Sequence, residues 1–274
     1  MTDYSKEWTA HYKACKNNFK NRRSLLSPES EARDYSDSEL IRIDGLRRAE
    51  YLNFPSDSTV LDIGCGPGTL SLPLSGKVKK VTAVDKSVHM LDILNEHITR
   101  ELISNISVIN GSWEDLPDRN IEKHDYVIGS YSLLSDDLKN MISVLDRLAL
   151  KKAYMYWFAG TPSWESVIEF YYPYIYPGEL FVKFPKSDLI YGCLSQMGIP
   201  ANVRVLTESH FSHEFSCRDD VIKNIRKRLK TDSDDFDNIF DRTLERFFYQ
   251  KNDRWFFNDK TTYVEISWEK RYEE

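Results

Sequence analysis

At 274 residues the chain is long enough to bury a full core, as one principal domain or as a domain with a smaller companion. A net charge of -6 and a pI near 5.6 argue against the broadly basic surface of a protein whose main partner is nucleic acid. Cys15, Cys65, Cys193 and Cys217 lack the close pairing of a zinc site, and no uncharged apolar run approaches the roughly 20 residues that span a bilayer. The expectations are reduced thiols, a cytoplasmic location, no metal site and no membrane span.

The first fifty residues read as helical. Trp8, Tyr12, Cys15 and Phe19 form one apolar stripe, which predicts an amphipathic helix ending near residue 21. A polar stretch at 24–38 separates it from a second helix at 39–52, which stops before Pro55. Strand and helix then alternate: short apolar strands at 60–63, 81–84, 106–109, 126–129 and 153–158, with helices at 70–75, 87–97 and 136–148 between them. Such alternation predicts a doubly wound α/β fold with a mainly parallel sheet. Beyond Thr161-Pro162 an aromatic, proline-rich segment runs to Pro185, followed by a helix at 187–197, a strand at 203–206, a charged helical stretch at 219–251 and a last strand at 262–268. The implied organisation is a helical extension or lid (1–52), a ligand-binding half of the core (53–160), an aromatic insertion (161–185) and a second half of the core (186–274) that carries the charged stretch.

The informative segment is Asp62-Ile63-Gly64-Cys65-Gly66-Pro67-Gly68-Thr69, between the first core strand and its helix. Glycines at alternate positions let a ligand approach the backbone closely. The spacing G-x-G-x-G lacks the third glycine of the dinucleotide fingerprint G-x-G-x-x-G. Asp62, at the end of the strand, is suited to ordering the loop or holding an ammonium group. Asp85 ends the second strand, where a carboxylate can accept both hydroxyls of a ribose. A ligand with a ribose and an amino-acid group, and no pyrophosphate, fits all three.

The stretches VLDIGCGPGTLSLPL and VTAVDKSVHML resemble motifs I and II of the class I S-adenosylmethionine-dependent methyltransferases, over roughly residues 59–158. The resemblance implies a seven-stranded, Rossmann-like sheet whose last strand is antiparallel, and S-adenosylmethionine as cofactor with S-adenosylhomocysteine as product. It implies that Gly64, Gly66 and Gly68 line the methionine and ribose part of that cofactor, with Cys65 a small filler in the loop. Asp85 would hold the ribose, and Lys86 and Ser87 would lie beside the adenine. Ser112, Trp113 and Glu114 would flank its other side; the Asp common in the family is absent at Ser112, so the adenine amino group passes to Ser112, Glu114 or the backbone. Ser130 and Tyr131 would face the methionine end and the acceptor.

Absence of an Asp/Asn-Pro-Pro-Tyr sequence after the fourth strand disfavours methylation of a planar amino group, and a small-molecule acceptor is expected ahead of protein or RNA. An acceptor that must lose a proton needs a base, for which His210, His213 and Tyr131 are candidates, with His11 if the first helix closes over the site. Two other classes stay open: a nicotinamide-dependent oxidoreductase and a non-catalytic S-adenosylmethionine-binding protein. The basic run at 223–230, followed by Asp232, Asp234, Asp235 and Asp237, reads as a solvated helix with compensating charge.

Overall fold

The computed structural model describes residues 2–20, 24–116, 119–132, 135–206, 211–233 and 236–270. The chain opens with three helices, α1 (Tyr4–Lys16), α2 (Pro28–Ser36) and α3 (Glu39–Tyr51). The core then runs β1 (Thr59–Ile63), α4 (Ser71–Ser75), β2 (Lys80–Asp85), α5 (Val88–Arg100), β3 (Ile106–Asn110), β4 (His124–Ser130), α6 (Leu138–Leu148) and β5 (Ala149–Phe158). It continues through α7 (Ser163–Ile175), α8 (Ser187–Gln196), β6 (Asn202–Leu206), β7 (Phe211–Phe215), α9 (Arg218–Leu229), α10 (Asp237–Thr243), β8 (Phe248–Lys251), β9 (Arg254–Asp259) and β10 (Tyr263–Glu269).

Seven strands form one sheet in the order β3-β2-β1-β4-β5-β10-β6. β1 to β5 are parallel, and β10 is antiparallel to both β5 and β6. This is the doubly wound sheet expected from the alternation, with the antiparallel last strand that the resemblance implied. The winding reverses between β1 and β4, so their carboxyl ends frame a crevice where ligands bind in open α/β folds.

Two differences from the sequence reading stand out. The polar stretch at 24–38 contains α2, whose start is set by local chemistry: Ser27 accepts the Ser30 N–H, Pro28 occupies the first turn, and Glu29 and Glu31 favour the helix dipole. The stretch expected to be helical to 251 ends its helices earlier and turns into β8, which pairs with β9 across Asn252 and Asp253. Both turn residues have positive φ, the geometry of a tight two-residue hairpin. With β7 these strands make a separate sheet, β7-β9-β8.

A second hydrophobic core lies between that small sheet and the helices α7, α9 and α10, joining Tyr171, Tyr172, Ile225, Phe240, Phe248 and Phe257. The aromatic segment after β5 is therefore largely α7, with one face committed to this core. Pro173 falls inside the helix, which runs only two residues further because proline removes a backbone donor and crowds the preceding turn. Three basic side chains of α9 are paired with acids: Arg226 with Asp237, Arg218 with Asp241, Lys227 with Asp34 of α2. No helix among the described residues is long and apolar enough to cross a membrane.

α1 is part of the main core. Trp8 is fully buried, its ring meets Trp157 of β5 at 5.6 Å, and its indole N–H donates to the Ser135 carbonyl at 2.7 Å, tying α1 to the chain just beyond β4. Trp8→Ala is expected to destabilise the fold by about 3–5 kcal/mol through cavity formation and an orphaned carbonyl. Urea unfolding checks this; a midpoint equal to wild type would show that α1 does not belong to the cooperative core.

Candidate active site

The site begins at the carboxyl end of β1. Gly64 and Cys65 both donate their N–H to the carbonyl of Val84 on β2, at 2.7 and 3.0 Å, which folds the loop across the strand ends. This turn needs φ = +72° at Gly64, and a Cβ there would lie 2.1 Å from the Ser132 hydroxyl, which itself donates to the Ile63 carbonyl at 2.9 Å. Asp85 finishes the anchoring: one oxygen accepts the Gly66 N–H at 2.9 Å, the other the Ser87 N–H at 2.8 Å. Gly66 has φ = +56°, and a Cβ on it would meet no atom within 4 Å. The loop thus presents bare backbone to open space beside a carboxylate.

That space is a cavity of about 240 Å³. Its walls include Asp62 at the end of β1, Asp85 and Ser87 at the end of β2, and Ser130, Tyr131 and Ser132 at the end of β4; Tyr35 of α2 and Arg48 of α3 also border it. Asp62 is buried and accepts the Ser71 hydroxyl at 2.7 Å. Burial pushes its carboxyl up to about 6, opposed by the Ser71 hydrogen bond and the Arg48 charge. Burial also pushes the Cys65 thiol well above its ordinary range, which favours the protonated form.

Tyr131 follows β4 with φ = +52°, an uncommon conformation for a bulky residue. Its ring packs on Phe158 at 5.3 Å and Tyr263 at 5.4 Å. Its hydroxyl is buried without a hydrogen-bond partner among the described residues, and burial holds the phenol well above 10. A left-handed backbone and an orphaned hydroxyl together mark a position shaped for something other than packing.

Of the residues singled out from the sequence, the structure brings Asp62, Gly64, Cys65, Gly66, Asp85, Ser130 and Tyr131 to this cavity, with Ser87. Gly68 is placed differently: a Cβ there would strike Leu94 and Leu72, so it serves the packing of the loop on α5. Lys86 is exposed beside the site. Trp113 is buried in the main core, Glu114 is exposed, and Ser112 forms a capping box with Asp115. The Arg119 side chain lies where a Cβ on Gly111 would be. His11 is on α1, outside the cavity wall. His213 sits on β7 of the small sheet, 4.0 Å from Asp259, and burial lowers its pKa; His210 lies outside the described residues.

Arg48 and Tyr35 escaped the sequence reading, which placed Thr69 in the glycine loop without giving it a role of its own. Arg48 is 4% exposed; it donates to the Ser130 hydroxyl, and its guanidinium carbon lies 5.1 Å from the Tyr131 ring centroid and 5.2 Å from that of Tyr156. Tyr35 lines the cavity together with Thr69 of the glycine loop, bringing α2 over the crevice. Arg48 lies between Arg47 and Glu50 in a charged part of α3, so nothing in the local sequence singled it out.

The residues present fit S-adenosylmethionine: Gly66 leaves the room a ligand needs, and Asp85 keeps lone pairs beyond the two N–H groups it accepts, enough for ribose hydroxyls. Residues 60–151 match the family model described as "Methyltransferase domain". An uncharacterised protein of Haemophilus influenzae is 33% identical over 161 residues, 58% of each chain. The magnesium-protoporphyrin O-methyltransferase of Rhodobacter capsulatus is 27% identical over 150 residues, 54% of this chain and 64% of that one. The chain spans less than two thirds of the length of the curated relatives it matches. Among solved structures, the YcgJ protein of Bacillus subtilis aligns with a TM-score of 0.57 at 15% identity, over 84% of this chain and 100% of that one. The plantazolicin methyltransferase BamL aligns with a TM-score of 0.53 at 14% identity, over 97% of both. Sheet order, loop and family model agree: residues 60–151 carry a methyltransferase domain, set in a Rossmann-like sheet.

Proposed function

We propose that this protein transfers the methyl group of S-adenosylmethionine to a small-molecule acceptor. The observation that carries the reading is the bare Gly66 backbone facing a cavity bounded by Asp62 on one strand end and Asp85 on the next. Asp85 suits ribose hydroxyls, and Asp62 suits the ammonium of the amino-acid end. The cofactor brings an already activated methyl on a sulfonium, so the chain's task is alignment and exclusion of water.

Tyr131, Phe158 and Tyr263 form an aromatic wall at the carboxyl ends of β4 and β5, joined by Trp164 from the start of α7. On this reading they make the acceptor side of the site and keep it dry. Tyr131 acts there as a neutral phenol, donating or accepting a hydrogen bond to position the acceptor. A cavity roofed by α2 and α3 favours a small acceptor over a folded macromolecule. Relatives named for magnesium-protoporphyrin and cobalt-precorrin methylation are consistent with that class.

Two measurements test the reading. Calorimetric titration should show S-adenosylmethionine and S-adenosylhomocysteine binding and reduced nicotinamide dinucleotide not binding. Gly66→Val should weaken the first two at least tenfold, with only the modest stability loss of a side chain at positive φ; equal affinity in this variant would remove the loop from the site. The second concerns pH. Asp62, with its carboxyl near 6, is neutral below that value and ionised above it. Affinity for S-adenosylmethionine is expected to rise about tenfold from pH 5 to pH 7 and then level off, as the ionised fraction does. Asp62→Asn should flatten that profile; a wild-type affinity independent of pH would dissociate Asp62 from the ammonium.

A further inference from the structure

Arg228 stands in the last turn of α9, half-buried and in no ion pair among the described residues, unlike its neighbours Arg226 and Lys227. Its one hydrogen bond among those residues runs from Nε to the Asn224 side chain at 3.0 Å, one turn back along the helix. Its guanidinium carbon lies 6.0 Å from the ring centroid of Trp164. Burial lowers its pKa, and the charges of Asp259 and Asp34 act in the opposite direction. Both acids are already engaged: Asp34 by Lys227, Asp259 by the amide and hydroxyl of Thr261. A partly desolvated guanidinium whose neighbouring acids are taken keeps the planar fork of its terminal nitrogens for another anion.

Contacts on two sides fix where that fork lies. Trp164 meets Phe158 at 6.3 Å, and Phe158 meets Tyr131, a wall residue of the donor cavity, at 5.3 Å. On the other side Lys227, next to Arg228 in the chain, is paired with Asp34 of α2, and Asp34 is next to Tyr35, which also borders the cavity. Arg228 therefore stands between the aromatic wall and α2, beside the donor cavity and not in its wall. We propose that the methyl acceptor carries a carboxylate on an apolar ring system, and that Arg228 binds this carboxylate while Trp164 and Phe158 pack on the ring. The inference rests on the small-molecule reading of the function and names its acceptor class. A single guanidinium balances a single negative charge, which favours a carboxylate over a doubly charged phosphate. The arginine fork matches the two carboxylate oxygens with parallel hydrogen bonds, which lysine cannot reproduce. The Trp164 ring beside the guanidinium steadies its charge and its orientation. Arg228 is on this view a specificity-determining residue, separate from the machinery that holds the donor.

A pair of probes that differ only in charge isolates the interaction: 2-naphthoate and its uncharged amide, 2-naphthamide. Each is titrated calorimetrically into the full chain saturated with S-adenosylhomocysteine, for wild type and for Arg228→Gln, which forms a double-mutant cycle. Wild type is expected to bind the carboxylate at least about tenfold more tightly than the amide. Arg228→Gln should bring the two affinities within about threefold of each other and leave the affinity for S-adenosylhomocysteine within about twofold of wild type. Equal affinity of wild type for the two probes, including no measurable binding of either, would overturn the proposal, as would a preference that survives in Arg228→Gln. Tighter binding of 2-naphthyl phosphate than of 2-naphthoate would overturn the choice of a carboxylate. If Arg228→Gln fails to fold, Arg228→Lys keeps the charge and loses the fork; its preference for the carboxylate should fall, and an undiminished preference counts against the assignment. A folded wild type that does not bind S-adenosylhomocysteine would instead remove the donor reading on which the proposal rests.

Discussion

The site hangs on one carbonyl group. Val84, near the end of β2, accepts hydrogen bonds from two consecutive amides of the loop that leaves β1, using both lone pairs of its oxygen. Two amides can converge on one acceptor only if the chain turns sharply, and φ = +72° at Gly64 is the result. The next residue on β2, Asp85, takes the Gly66 amide. The loop is therefore templated by the neighbouring strand, and the position of the bare Gly66 backbone relative to the Asp85 carboxylate is fixed before any ligand arrives. Such preorganisation lowers the ordering cost of binding.

The remaining architecture closes this crevice from several directions. Ser132, past the end of β4, packs where a side chain on Gly64 would be and so locks the β4 loop onto the glycine loop. α1 ties the chain beyond β4 to β5 through Trp8. α3 brings Arg48 beneath the phenol rings of Tyr131 and Tyr156, while α2 sets Tyr35 in the cavity wall beside the glycine loop. α2 is held by exposed ion pairs, Arg33 with Glu96 of α5 and Lys227 of α9 with Asp34, and buries little besides Ala32. Such pairs contribute modestly in water. The second core, built on α7, α9, α10 and the small sheet, reaches the site through Trp164.

Much of the sheet and half of the cavity could be read in the sequence, because both are encoded locally. Parallel strands buried on two faces appear as continuous apolar runs, and 60–63, 81–84 and 126–129 fall inside β1, β2 and β4. The glycine loop and Asp85 are also local signals. What was hidden depends on tertiary packing. Nothing near Arg48 in the sequence shows that it enters a cavity with Asp62, since that follows from how α3 lies on the sheet. Gly68 has the same identity as Gly66, and only packing against Leu72 and Leu94 distinguishes them. Trp113 falls where a ligand-flanking residue was expected, but its apolar ring is buried in the main core. The small sheet was masked by charge: β8 and β9 carry polar residues on their exposed positions, and their pairing is announced only by the Asn252-Asp253 turn.

The most direct test of the donor site is a crystal structure of the chain grown with saturating S-adenosylhomocysteine. The product should lie between Gly66 and the β4 loop, with its ribose hydroxyls within hydrogen-bonding distance of the Asp85 carboxylate and its amino-acid end toward Asp62. Product bound elsewhere, or a cavity that excludes it at saturating concentration, would contradict the assignment of this crevice as the methyl-donor site.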